Sequence, residues 1–527
     1  MLRRVAVFAA PFTANAAAAV TGVSHTAPAL GRLVDHSLLV LAPGAATDPG
    51  RTRYRALETI RQFGANQITA LGEDEVFARH LDWCLTVTAD LDGSAAAFDP
   101  VADDLRAALG WASTQPDERA RALRLANDLA RLLFLRGRPA EAQQRYEQAA
   151  CLADDPAVAA LAFADAAGVA KCRVAGDDVL RLERAAAAAA IDAGNPAEAA
   201  VTLARASEMV GRFRGMFAEQ PPPGTAEVLL AEAQALSVDD PRTQAALLNA
   251  QANIAAEADD RDPPDPATVA ASDRAVDAAR RGGDPLIESA SLDLQAGLLV
   301  AHDITAAAAN ASRRVELLTP LPLTPSIAFE LKDALHMATL ASVGAGDLAG
   351  ARDTAKTQLY LPFLSEARDL AVEDLLLPAA LAGDWPTVDT IGRQFLDAWR
   401  RSARPVAPGR AIGPSAAVMA HALRGDEAAR REWLAVVAAL RGLDDPTAAM
   451  RGNGYGELVD AVVQLHQGHN DEALALLSVH AAQPNWYDQL LHEWRLAMHA
   501  EATGDPTTTG EVSTRVRELC RRLISSH

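Results

Sequence analysis

GDLAGARDTA (346–355), GDWPTVDTIG (383–392), GDEAARREWL (425–434), GHNDEALALL (468–477) and GDPTTTGEVS (504–513) share one pattern: a glycine, a polar residue, then a run rich in Ala and Leu. Their glycines are 37, 42, 43 and 36 residues apart. Glycine tolerates the left-handed conformation that ends a helix, and Asp or Asn just after it caps the next one. One helical hairpin per interval follows, in the range of helix-turn-helix repeats. Looser copies occur upstream at GRPAEAQQRY (137–146), GDDVLRLERA (176–185), GNPAEAAVTL (194–203) and GDPLIESASL (283–292). A single hairpin cannot bury its apolar face, so the hairpins must stack. The spacing predicts a TPR-like α-solenoid in which small Ala side chains let helices approach closely.

Composition agrees. Hydrophobic residues make up 50% of the 527, aromatics only 5%, and alanine runs such as AAAAAA (185–190) favour helix over sheet. Net charge is −20, which disfavours bulk binding to DNA phosphates. The four cysteines, Cys84, Cys151, Cys172 and Cys520, form no C-x-x-C pair, so neither a disulfide framework nor a zinc site is indicated. A reducing, cytoplasmic location fits this usage. No stretch reads as a membrane span. The proline-rich stretches EQPPPGT (219–225), DDRDPPDPAT (259–268) and SARPVAPGRAIGPS (402–415) read as loops at repeat edges.

The first 75 residues differ. Residues 2–8 read as the end of a helix, and Thr13 can N-cap a second helix to about Val20. Leu30, Leu33, Val34 and Leu38 mark a third, ending near His36. SLLVLA (37–42) and TRYRALE (52–58) read as strands flanking a Gly/Pro/Asp-rich turn, with Tyr54 and Ala56 alternating against Arg53 and Arg55. Residues 59–71 return to helix. MLRRVAVFAAPFTANAAAAV (1–20) imitates a signal peptide, with Ala14-Asn15-Ala16 as its cleavage site. Pro11 breaks the apolar run, and Val5, Phe8 and Phe12 suit a folded core better.

LRRVAVFAAPFT (2–13), LGRLVDHSLLV (30–40) and RYRALETIRQFGANQ (53–67) resemble the winged-helix segment of STAND-class regulators, bacterial signal-transducing ATPases that carry LuxR-type or SARP-type DNA-binding domains. DDLRAALGWA (103–112) and LFLRGRPAEAQQRYEQAA (133–150) resemble the entry into their TPR-like array. The resemblance implies a winged helix that packs on a P-loop ATPase domain and relays its state without reading DNA. A small domain that merely caps the repeats is the plainer alternative. No P-loop is present. The nearest approach, Gly350 to Thr357, has Ala355 where the phosphate cradle needs its second glycine, and it fits a helix start after a turn. No nucleotide or other cofactor is expected. The C-terminal EVSTRVRELCRRLISSH (511–527) offers one basic helix and no helix-turn-helix.

The expected architecture is therefore mainly all-α: a winged-helix domain over 1–75, TPR-like repeats over 76–258, and further repeats over 259–527. No local Ser-His-Asp, Cys-His or paired-carboxylate pattern points to catalysis. His466, His469, His480, His492 and His499 cluster, but Gly468 breaks the pair at i, i+3, and no metal site is expected. Five of seven Trp lie beyond residue 384. Solenoids bind on their concave face, where large rings anchor partners, so Tyr360, Trp399, Tyr455, Trp486, Tyr487 and Trp494 are the candidate contacts for a protein or small-molecule inducer. The same rings can instead pack between helices. The function expected is the non-catalytic sensor or scaffold part of a LuxR-family-like regulator. The alternative is a free-standing TPR-like adaptor with no role in transcription. Gene neighbourhood separates the two, because an adjacent P-loop ATPase indicates a divided regulator.

Overall fold

The structure is a computed structural model. It describes residues 1–42, 52–91, 93–217, 219–236, 238–259, 261, 264–299, 303–344, 347–364, 372–401, 408–450 and a few positions between 460 and 475. Chain contacts divide it into two compact units. One comprises Met1–Ala199 with Thr324–Ser326, the other Ala200–Leu323 with Ile327–His527.

The first unit opens with the winged helix. Its helices are α1 (Leu2–Val5), α2 (Ala14–Thr21), α3 (Thr26–Asp35) and α4 (Glu58–Ala70). Its strands are β1 (Phe12–Thr13), β2 (Leu39–Leu41) and β3 (Arg53–Ala56), antiparallel in the order β1-β3-β2, with Phe12 opposite Tyr54 and Leu39 opposite Ala56. The Thr13 hydroxyl accepts from the Ala16 amide at 3.2 Å and so starts α2. Tyr54 and Ala56 point inward while Arg55 is exposed. Val5, Phe8, Phe12, Val20, Leu30, Leu39 and Ile68 form the core. Two features depart from the sequence reading. The first helix stops at Val5, because the next turn swings Val7 and Phe8 into the core. The two-residue strand β1, too short to show a period, was not anticipated.

Helices α5 (Glu75–Ala89), α6 (Ala95–Phe98) and α7 (Ala102–Ala112) follow, then α8 (Arg119–Leu135), α9 (Pro139–Leu152), α10 (Pro156–Cys172) and α11 (Gly176–Asp192), with α8 packed on α9, α9 on α10 and α10 on α11. Leu105, Leu109, Leu125, Leu129 and Leu133 are fully buried, each contributing about 1.5–3 kcal/mol, while Ala126, Ala130, Ala149, Ala166 and Ala187 let the axes close up.

The glycine–acid signal has the structural role that the sequence assigns it. At the end of α11, Gly194 has φ +70; its amide bonds the Ile191 carbonyl, and that of Asn195 bonds the Ala190 carbonyl. The Asn195 side chain then accepts from the Glu198 amide at 3.1 Å and caps α12 (Pro196–Arg212). One copy is displaced. Between α10 and α11 the left-handed position belongs to Val174, at φ +58, and Gly176 is already the first residue of α11.

The second unit contains α13 (Thr225–Ala235), α14 (Pro241–Ala258), α15 (Pro266–Gly282), α16 (Pro285–Leu299), α17 (Ile304–Leu318), α18 (Pro325–Gly344) and α19 (Leu348–Leu359). It continues through α20 (Glu373–Leu381), α21 (Trp385–Arg401), α22 (Ile412–Leu423) and α23 (Glu427–Leu440). Helices α14 and α15 pack on each other across the proline-rich stretch near residue 260. A core around Leu376, Phe395, Trp399, Trp433 and Val437 holds the last four helices.

Two buried charge clusters run through this unit. Arg314, with a fully buried side chain, donates to Ser289 at 3.0 Å, Glu330 at 2.9 Å and Asp333 at 2.6 Å, and it pairs with Asp293. Arg212 reaches Asp293 at 2.8 Å and Glu208 and Glu330 at 2.9 Å. Burial alone would lower the Arg212 pKa, but the carboxylates, Asp293 foremost, more than reverse this and keep it charged. In the second cluster Asp374 bonds His336 Nδ1 and Gln358 Nε2, both at 2.8 Å, and Glu373 Oε1 accepts from Arg410 at 2.7 Å. Glu373 Oε2 is buried with no partner. Burial pushes the Glu373 carboxyl up to about 7 against the pull of Arg410, and the Asp374 charge adds to the rise. Asp374 raises His336 to about 9.

Two outcomes follow from these placements. A β-branched residue in the left-handed region is strained. Val174→Gly should stabilise the α10–α11 hairpin by about 0.5–1 kcal/mol, after glycine's own entropy loss, and slow amide exchange across residues 176–192. Exchange no slower than in the parent would contradict the strain. For Glu373, the folded value exceeds the unfolded one, so the folded chain keeps a proton that the unfolded chain has released. The associated stability is complete below the unfolded value and is lost as pH rises through about 7. Glu373→Gln should shrink the loss of stability between pH 6 and pH 8 by on the order of 1 kcal/mol in denaturant titrations. An identical pH dependence in both proteins would contradict this.

Candidate functional site

The winged helix is joined to the first helical hairpin by one carboxylate. Asp104, in the first turn of α7, is 1% exposed. Its Oδ1 accepts from the Ala9 amide at 2.7 Å and from the Ala10 amide at 3.2 Å. His80 Nε2, on α5, lies 3.5 Å from the same oxygen. The segment between α1 and β1 thus gives its amides to a side chain 95 residues away in the sequence. A carboxylate accepting from two backbone N–H groups makes stronger bonds than a neutral acceptor would.

Rings close the site. Phe8 meets His80 edge-on at 5.2 Å and Trp83 edge-on at 5.4 Å, while His80 and Trp83 stack at 5.8 Å. Phe8 also stacks on Phe12 of β1 at 4.5 Å. Cys84 donates its thiol to the Asp104 carbonyl at 3.7 Å. Burial, then the Asp104 charge, raises that thiol well above its ordinary value, so it stays protonated and packs as an apolar group. Behind the clamp, α1 and α4 approach so closely that a side chain on Gly64 would meet the Ala6 methyl at 2.4 Å. Arg3 and Arg4 grip Glu73, and the Arg3 hydrogen bond holds that carboxyl down at about 2. Winged helix, α5 and α7 therefore form one packed body.

Two outward surfaces remain. Helix α3 occupies the place from which a winged helix reads the major groove. Its exposed residues are Ala27, Pro28, Arg32 and Asp35, with one positive and one negative charge between them. Helix α4 carries an uncovered apolar side: Leu57 is 49% exposed, Phe63 63% and Leu71 56%, with Ile60 half-buried among them. At about 100° per residue these four share one arc of roughly 120°.

The aromatic residues named from the sequence are not gathered into one site among the described residues. Tyr360 caps the end of α19 and is 80% exposed. Trp399 is a core side chain, 5% exposed; it stacks on Phe395 one turn earlier in the same helix and belongs to the core shared with neighbouring helices, the packing between helices that its sequence context also allowed. Tyr455, Trp486, Tyr487 and Trp494 lie outside the described residues, as do His466, His480, His492 and His499. His469 bonds Gln464 at 2.9 Å. Gly350 to Thr357 lie inside α19, whose N terminus is capped by Asp347 accepting from the Gly350 amide at 2.8 Å. Among the described residues no group of His, Cys, Asp and Glu is placed to hold a metal ion, and no helix is long and apolar enough to cross a membrane. Sequence reasoning missed Asp104 and His80, because an acid and a histidine on two amphipathic helices carry no local mark of a shared partner.

Comparison with known proteins bears on the same region. A winged helix-turn-helix domain family matches residues 1–69. A putative HTH-type transcriptional regulator of Mycobacterium bovis, and those of two Mycobacterium tuberculosis strains, are 33% identical to the chain over 274 residues, which is 47% of this chain and 29% of each relative. The chain thus spans under a third of the length of these relatives. Among solved structures, a STAND protein with a tetratricopeptide repeat sensor from Pyrococcus horikoshii aligns over 84% of this chain and 62% of its own, at 12% identity and a TM-score of 0.39. A circular tandem repeat protein covers 89% of this chain and 92% of its own at 13% identity and a TM-score of 0.14. The winged-helix match and the regulator relatives agree with the resemblance carried by the N-terminal motifs.

Asp104→Ala leaves the buried Ala10 amide and the half-buried Ala9 amide without this acceptor, at about 1–3 kcal/mol for the buried one and less for the other. The winged helix should come loose while the helical array persists. Limited proteolysis should cut between residues 8 and 14 at a rate raised more than tenfold, with helical circular dichroism nearly unchanged. Unchanged protection of that segment would show that the clamp is dispensable.

Proposed function

We propose that the chain is the non-catalytic sensor part of a STAND-class, LuxR-family-like transcriptional regulator, acting in the cytoplasm. The helical array binds an inducer or a protein, and the winged helix passes the array's state to a P-loop ATPase domain. The observation that carries this reading is the Asp104 clamp. It makes the winged helix one body with the first helices of the array, so strain in α5 or α7 reaches the winged helix with little slack. The apolar side of α4 supports the second half of the relay. Leu57, Phe63 and Leu71 form a face that a neighbouring domain would cover, and the regulator relatives carry much more chain than the part that aligns.

Direct DNA reading is not part of the proposal, although winged helices commonly do it. Sequence-independent affinity comes from cations facing phosphates. The exposed face of α3 sets Arg32 against Asp35 and places Pro28 in its first turn. Tyr360, with Tyr455, Trp486, Tyr487 and Trp494, remains the proposed contact set for a protein partner on the array.

The reading is tested in cells. Deleting the gene should alter transcripts of a limited set of operons, and Phe63→Asp, which places a charge on the docking face, should reproduce the deletion at normal protein levels. Full complementation by Phe63→Asp, or a deletion that leaves the transcriptome unchanged, would contradict it.

A further inference from the structure

A cleft of about 420 Å³ opens in the second unit between the ends of α12 and α14 and the start of α13. That volume lies within the usual range of small-molecule sites. One wall is apolar, made by Val210, Ile254 and the rings of Pro221 and Pro223. The prolines restrict the loop, and its ends are tied. Gln220 Nε2 donates to the Arg214 carbonyl at 3.0 Å, and the Thr225 hydroxyl donates to the Pro222 carbonyl at 2.6 Å. Gly224 turns the chain into α13 at φ +86.

The polar wall carries both signs. Arg214 and Glu257 form an ion pair in the lining of the cleft, and Glu227 lines it as well. Gly211 leaves room for the Glu257 carboxylate beside α12; a Cβ there would sit 2.7 Å from its Oε2 and would shift that side chain. The Arg214 side chain is 62% exposed and that of Glu257 28%, so solvent screens the pair and opening it costs little. The start of α13 has no side-chain cap, and Glu227 lies in its first turn. A cation paired with one carboxylate and neighboured by a second, in a cleft that also has apolar lining, offers partners for a molecule with an anionic end, a cationic end and an apolar body.

We propose that this cleft binds a small zwitterion with an apolar side chain, a free amino acid or a dipeptide of such residues. Its carboxylate replaces Glu257 on Arg214, its ammonium takes Glu257 and Glu227, and its side chain lies on Val210, Ile254 and the prolines. This rests on the reading of the array as a sensor and names the class of ligand. It is tested by binding alone, apart from the transcript assay, so the two can fail separately.

Calorimetry with the full chain uses L-leucine and L-leucyl-L-leucine as probes, with 4-methylpentanoate and 3-methylbutylamine as analogues lacking one charge. At least one zwitterion should give saturable binding, and each analogue should bind at least tenfold more weakly. Arg214→Gln and Glu257→Gln should each weaken the zwitterion at least tenfold, with melting temperature and helical content unchanged. Ile254→Trp, which fills the cleft and keeps both charges, should abolish binding. No saturable heat up to about 10 mM, an analogue that binds as well as leucine, or full affinity in the Ile254→Trp protein would overturn the proposal.

Discussion

The rest of the first unit depends on a buried carboxylate that accepts two backbone amides. Asp104 is 1% exposed; its Oδ1 is occupied by donors, whereas its Oδ2 is buried with no hydrogen-bond partner, so the amides on Oδ1 carry the compensation for burying this acid. The donors come from Ala9 and Ala10 of the winged helix. The chain therefore cannot run α1 on through Ala9 and Ala10, because those amides are needed elsewhere. Phe8 then lies edge-on against the His80–Trp83 stack, Phe12 follows into β1, and β1 can pair with β3. One long-range acceptor thus sets where the first helix ends, where the sheet begins and how the winged helix sits on α5 and α7.

Much of this fold was legible because its signals are local. Gly194-Asn195 both closes one helix and caps the next, and the chemistry of each step is contained within four residues. Thr13 before a run of alanines, and Tyr54 and Ala56 alternating with arginines, are signals of the same kind. Less legible were features whose cause lies far away in the chain. Asp104 reads as an ordinary first-turn acid. In ASRRVELL (311–318) two adjacent arginines look alike, yet Arg314 is fully buried while the Arg313 side chain is 49% exposed. Trp399 has the composition of a binding ring and the environment of a core one. Val174 shows a limit of the glycine rule itself: the turn geometry is kept, but the residue that suits it is two positions late.

The second unit meets a different constraint. Alanine-rich helices pack closely but bury few large side chains, and alanine pairs specify register poorly. The Arg212 and Arg314 cluster links α12, α16, α17 and α18 through directional bonds that only one register satisfies. Buried ion pairs of this kind contribute little net stability once desolvation is counted, and registry is their best-attested role. The cluster around Glu373 and Asp374 does the same for α18, α19 and α20, and its half-satisfied carboxylate makes that region sensitive to pH near neutrality.

Coupling between array and winged helix is the central claim, and amide hydrogen exchange at Ala9 and Ala10 tests it most directly. If the clamp makes one body of the winged helix and the first hairpin, these two amides should exchange as slowly as those in the middle of α5 and α7, and with the same dependence on denaturant. Exchange at the rate of an open loop, with α5 and α7 still protected, would show that the winged helix moves independently of the array and would contradict the relay.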